Sequence, residues 1–185
     1  MTRLFAIARH AVAALALGLA APAVLAQDDP MANLFADLAD PGNAYWERTE
    51  SDIQREWSKS GSAAMDMLLK RGQQAMEEGD LEAAIAHLTA LTDRAPDFAE
   101  GWNARATAYF LAGLYGPSVE DIGRVLALEP RHFGALSGLG IILRETGDKQ
   151  GALAAFRAAR AIHPHRPDID QAVQGLEQEL EGIAL

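Results

Sequence analysis

The sequence predicts an all-α fold: three stacked helix–turn–helix units with an extra helix at each end. Two observations carry this. Pro96, Pro130 and Pro164 recur at intervals of 34 residues, twice in succession, and each closes a block with the same internal pattern. A self-similar period of that length marks a two-helix unit that cannot bury its apolar face alone, so it stacks on its neighbours. The composition agrees: 49% of the 185 residues are hydrophobic but only 6% are aromatic, and alanine is abundant. Small apolar side chains suit close helix packing better than sheets.

Residues 1–26 read as a removable export signal. Arg3 and Arg9 supply a positive start, Ala11 to Ala21 is an unbroken small-apolar run, and Val24-Leu25-Ala26 places small side chains at a cleavage site. The alternative is a membrane anchor, but a spanning helix needs roughly 20 apolar residues; this run is shorter and ends at Pro22. Cleavage after Ala26 would leave Gln27 at the mature end and no membrane anchor. The expected location is the periplasm or the exterior.

Residues 27–62 read as a leader and a capping helix. Asp28-Asp29-Pro30 and Asp40-Pro41-Gly42-Asn43 are breakers, so 27–43 is expected to be loose, with one short apolar turn at Leu34, Phe35 and Leu38. Trp46, Ile53 and Trp57 then fall on one face of an amphipathic helix over 44–57, with Asn43 as its N-cap. Ser58 to Ser62 reads as a hinge before the repeats.

The blocks are 65–98, 99–132 and 133–166, with proline at position 32 of each. Position 8 holds Gly72, Ala106 and Gly140, and position 20 holds Ala84, Ser118 and Ala152. Small residues there let the two helices of a unit approach closely. Leu68, Trp102 and Leu136 at position 4, and Leu88, Ile122 and Phe156 at position 24, fill the space around that contact. Gly79, Gly113 and Gly147 end the first helices in a left-handed turn. Asp80 and Asp148 then cap the second helices, whereas Leu114 has no side chain that can cap. Pro117 sits in a first turn, where a missing N–H costs little.

Residues 167–185 give one more helix. Ile169, Ala172, Val173, Leu176 and Leu180 line one face and acids and glutamines the other, which is the make-up of a solvating end cap. The 44–57 helix is expected to close the opposite end.

This 34-residue pattern resembles the tetratricopeptide repeat, in three aligned copies over 65–166. The resemblance implies a right-handed α-solenoid and a role in binding proteins. Two departures stand out. Arg71 and Arg105 occupy a position that is leucine-like in the family, with stems that can pack and heads that reach solvent or an acid. Gly134 and Gly138 lie on the inner face of a first helix, where each glycine costs roughly 0.5–1 kcal/mol against alanine. Either a neighbouring backbone comes close there, or a ligand does.

Catalytic chemistry is not legible. There is no Gly-rich phosphate loop, no GxSxG, no HExxH and no cysteine, so disulfides and thiolate sites are excluded. His163 and His165 flank Pro164 without a third ligand nearby, and a helix end followed by a turn explains them. No cofactor, metal or enzymatic activity is expected. Beyond residue 26 the chain carries 14 basic against 26 acidic residues, a net charge of −12. Such a surface disfavours nucleic acid and anionic membranes. It reads either as a solubility feature or as a surface for a basic partner.

The family's concave face, transferred position by position, gives a candidate peptide groove of Leu69, Gln73, Asn103, Thr107, Phe110, Ser137, Ile141 and Arg144. Chaperone-binding members clamp a C-terminal carboxylate with basic and amide side chains. The corresponding positions here are Leu69, Gln73, Ala104, Gly134 and Gly138, so the clamp is absent. Two roles are expected of this chain: a groove that binds a peptide or protein segment, or a fixed subunit of an envelope assembly that docks by its Trp46/Trp57 helix or its convex face.

Overall fold

Each 34-residue block folds as two helices hinged on a glycine with positive φ. The turns lie at Gly79, Gly113 and Gly147, with φ of 79°, 74° and 90°. Left-handed backbone of this kind suits glycine, which has no Cβ to clash. It lets the next residue reach back and satisfy a helix-end carbonyl: Asp80, Leu114 and Asp148 donate to the carbonyls of Ala75, Tyr109 and Leu143 at 2.8–2.9 Å.

The computed structural model describes residues 30–183, so the export signal read over 1–26 lies outside the described residues. Among the described residues the elements are nine helices: α1 Pro30–Ala39, α2 Trp46–Trp57, α3 Ala63–Glu77, α4 Leu81–Arg94, α5 Ala99–Leu111, α6 Tyr115–Leu128, α7 Phe133–Glu145, α8 Lys149–Ile162 and α9 Pro167–Ile183. Asp80 and Asp148 accept from the N–H groups of Ala83 and Gly151, both at 2.9 Å, and α6 starts without a side-chain cap.

The small positions are sterically required. A Cβ on Gly72 would sit 2.4 Å from Leu88 Cγ, and one on Gly140 would sit 2.8 Å from the Phe156 ring. In the middle repeat, Ser118 Oγ donates to the Ala106 carbonyl at 2.8 Å. Around these contacts runs one stacked core. Leu69, Leu88, Leu91, Ala104 and Ala108 join the first repeat to the second. Ala106, Ile122, Val125, Ala135 and Ile142 join the second to the third. Phe156, Ile169, Val173 and Leu176 join the third to α9, which packs on α8 as the end cap does in the sequence reading. Burying one such leucine or isoleucine is worth about 1.5–3 kcal/mol.

Arg105 finds an acidic neighbour inside the stack. Its guanidinium makes two bonds to Asp121, at 2.7 and 2.8 Å, and a third to Thr92 at 2.9 Å. The rings of Trp102 and Tyr109 flank it. Arg71, at the equivalent position of the first repeat, is exposed.

The N-terminal segment departs from expectation. Residues 30–39 are a ten-residue helix rather than a loose leader with one short turn. Asn43 does not cap α2; that place belongs to Tyr45. Asn43 organises the preceding turn, accepting from the Tyr45 N–H and donating to the Asp37 carbonyl. Ser58–Ser62 is a tied turn, with Ser60 donating to the Asp66 carboxylate from both its N–H and its hydroxyl.

The buried face of α1 and α2 also packs elsewhere than on the first repeat. Phe35, Leu38 and Ile53 form a cluster with Phe133, and Ile162 packs against it. The two helices therefore form an arm that folds back onto the third repeat. The physical reason is a set of aromatic partners in the turns there. The Trp57 ring stacks on His132 at 4.0 Å, Trp46 stacks on His165, and Arg131 lies over Phe35. Glu50 bonds Arg166 at 2.9 Å, and His165 reaches the Asp40 carbonyl at 2.9 Å.

Candidate functional groove

The first helices of the second and third repeats, α5 and α7, leave a cleft of about 370 Å³ between them. Helical spacing puts Asn103, Thr107 and Phe110 on one wall, and Gly134, Ser137, Gly138 and Ile141 on the other. Ile122 and Ile142 form the apolar floor, and Phe133, Arg166 and Asp168 close one end.

The two inner-face glycines make this space. No neighbouring backbone approaches either of them. A Cβ on Gly138 would meet only Ile122 Cδ1, at 3.8 Å, and one on Gly134 would meet only the His132 ring, at 3.4 Å or more. Of the two explanations that the sequence left open, close backbone packing is thus removed. Side chains at 134 and 138 would stand in the cleft.

Five of the eight candidate residues meet here: Asn103, Thr107, Phe110, Ser137 and Ile141. Gln73 lies further along with Met76, Glu77, Thr107 and Leu111, over a shallower continuation of the same face. Leu69 is a correction. It is 3% exposed and packs in the core between the first two repeats, so it is not available to a ligand. Arg144 does not line the cleft; its guanidinium sits 6.0 Å from the Phe156 ring.

Sequence reasoning missed Phe133, Arg166 and Asp168. Phe133 begins α7, outside the inner-face positions transferred from the family. Arg166 enters from the turn before α9 and Asp168 from the first turn of α9, both outside the inner-face positions of the repeat. Arg166 is held in place, with Nε and Nη2 on Asp168 at 2.8 and 2.7 Å and Nη1 on Glu50. These carboxylates stabilise its charged form.

A short polar chain links the groove to the arm. Asn103 Nδ2 donates to Glu100 at 3.2 Å. The other Glu100 oxygen is 3.2 Å from His132 Nε2. His132 Nδ1 accepts the cap bond from the Ala135 N–H at 3.1 Å, so Nε2 carries the proton and donates to Glu100. The same imidazole lies flat under Trp57.

His163, fully buried at the end of α8, sits between the edges of Trp46 and Phe133. Its Nε2 is 3.3 Å from Glu50 without hydrogen-bond geometry, and burial pushes its pKa below the ordinary imidazole range. Among the described residues no three His, Asp or Glu side chains converge as a metal site, and no helix is long and apolar enough to cross a membrane.

The fold defines the class: an all-helical repeat protein with a cleft on its inner face. A family model described as tetratricopeptide repeat matches residues 69–116 and 118–167. The chain belongs to the tetratricopeptide-repeat family. It is 40% identical over 132 residues to a TPR repeat-containing protein of Rhizobium etli, covering 71% of this chain and 65% of that one. The fold is similar to the Sgt2 TPR domain of Aspergillus fumigatus, with a TM-score of 0.62 at 22% identity, over 66% of this chain and 83% of that one. It is also similar to the first TPR of Spaghetti (RPAP3) bound to the HSP90 peptide SRMEEVD, with a TM-score of 0.61 at 20% identity, over 63% and 93% of the two chains. Tetratricopeptide repeats are protein-interaction modules, typically non-catalytic.

Proposed function

We propose that this chain is a non-catalytic interaction module of the cell envelope that holds a peptide or protein segment in the α5–α7 groove. The observation that carries the reading is the cleft itself. Two glycines withhold side chains from an inner helix face where helix stability favours alanine, and the space so made is walled by Asn103, Thr107, Phe110, Ser137 and Ile141. The envelope location rests on residues 1–26, and protein recovered from that compartment should begin at Gln27 on N-terminal sequencing. The partner is a protein segment rather than nucleic acid, given the acidic balance.

The test is capture of partners by the mature chain and by Asn103→Ala/Phe110→Ala. Both side chains line the cleft and neither is in the buried core. The double variant should lose capture and keep its helical circular dichroism; retained capture refutes the groove. The alternative of a fixed subunit that docks by Trp46 and Trp57 is less favoured, because both rings are turned onto the third repeat.

A further inference from the structure

The groove's hydrogen-bonding polarity specifies the chemistry of its ligand, on the footing that the groove reading above holds. Thr107 Oγ1 donates to the Asn103 carbonyl at 3.0 Å, and Ser137 Oγ donates to the Phe133 carbonyl at 2.8 Å. Each hydroxyl has a single hydrogen, so both now face the cleft as acceptors. Asn103 directs Nδ2 at both oxygens of Glu100, which leaves Oδ1 as its outward group. The cation that lines the cleft, Arg166, has all three of its nitrogens bonded to carboxylates.

The charges beyond the cleft have the same bias. Glu77 lies along the continuation with Met76 and Leu111. Glu145 is bonded by the Tyr115 hydroxyl, whose ring stacks on Phe110 at the cleft mouth. Arg144 is turned over Phe156, and Lys70 is outnumbered by Glu77 and Glu78 beside it. Gln73 can serve as donor or acceptor.

We infer that the groove takes a segment with an apolar side chain for the slot over Gly134 and Gly138 and adjacent Lys or Arg donors for the acceptor-lined walls. An acidic tail such as the SRMEEVD peptide held by the structural relative meets acceptors and carboxylates here, and like charge across a contact is repelled.

The experiment is fluorescence anisotropy on the mature chain with three labelled peptides: GLLRRLLRRL, the same peptide with Glu for Arg, and SRMEEVD. Each is measured against the natural chain and Gly138→Leu. That substitution has space at its Cβ and fills the slot, so circular dichroism should be preserved. The arginine peptide should bind at least about tenfold more tightly than either acidic one. Gly138→Leu should weaken it at least about tenfold, and the preference should narrow as salt rises. Equal or tighter binding of an acidic peptide, still weakened by Gly138→Leu, overturns the donor preference and leaves the groove standing. Binding of the arginine peptide that ignores Gly138→Leu overturns both. No binding of any peptide up to about 1 mM overturns the ligand chemistry, with the groove then judged by the Asn103/Phe110 variant.

Discussion

Replacing Asp121 with leucine should destabilise the stack far more than replacing Asp121 and Arg105 together. The two side chains are 6% and 12% exposed and joined by two bonds of 2.7 and 2.8 Å. Asp121→Leu strands a buried guanidinium that Thr92 and the neighbouring rings cannot neutralise. Arg105→Leu restores the residue type usual at that repeat position but strands a buried carboxylate. Breaking one partner of a buried pair costs about 3–5 kcal/mol, whereas replacing both by apolar groups is near neutral or stabilising. A domain stability of about 5–15 kcal/mol makes either single change severe. Urea unfolding followed by helical circular dichroism measures this. With a slope of about 2 kcal/mol per M, each single variant should move the midpoint down by about 1.5–2.5 M and the double variant by less than about 0.5 M. Additive losses in the double variant, or single shifts below about 0.5 M, would refute the claim that the pair is desolvated and mutually dependent.

Three further outcomes follow from the same structure. Gly138→Ala should stabilise the fold by about 0.5–1 kcal/mol, while Gly140→Ala, two residues along the same helix, should cost about 1–3 kcal/mol against Phe156; thermal melts read both signs. Because burial lowers the His163 pKa, the unfolded chain takes up the proton more readily. The arm's docking is therefore fully stable above about pH 6.5 and weakens as pH falls through the lower folded value. Tryptophan fluorescence between about pH 8 and pH 5 should show this loss, and a His163→Phe chain with the same slope would contradict it. Trp57→Ala removes the ring stacked on His132 and packed on Phe35 and Phe133, at a cost of about 3–5 kcal/mol. Limited proteolysis should then cut near residues 58–62 and leave 65–166 intact; an arm as resistant as before would show that Trp57 does not hold it.

The repeats were legible because their determinants are local and recur. Gly79, Gly113 and Gly147 turn the chain within their own blocks, and Gly72 and Gly140 act on the facing helix of the same unit. The arm was not legible in its place. Phe35, Ile53 and Trp57 announce an apolar face but not its partner, which is about a hundred residues away at His132, Phe133 and Ile162. The groove was legible in part: the inner-face positions that the family resemblance implies supplied five residues on α5 and α7, Leu69 was lost to the interface between repeats, and Arg166, the last position of its block, lies outside those inner-face positions.

That long-range clasp alters how the array holds together. A solenoid bound only by nearest neighbours can fray from either end, one unit at a time. Here Glu50 bonds Arg166 across 116 positions, and Asp40 meets His165 across 125. Closing such a loop carries an entropic cost, recovered only once the third repeat is built. The arm's docking surface therefore exists only once the third repeat is folded: a chain truncated before residue 132 lacks Phe133 and Ile162, the partners of Phe35, Leu38 and Ile53. In the finished molecule, unravelling the last repeat must also release α1 and α2.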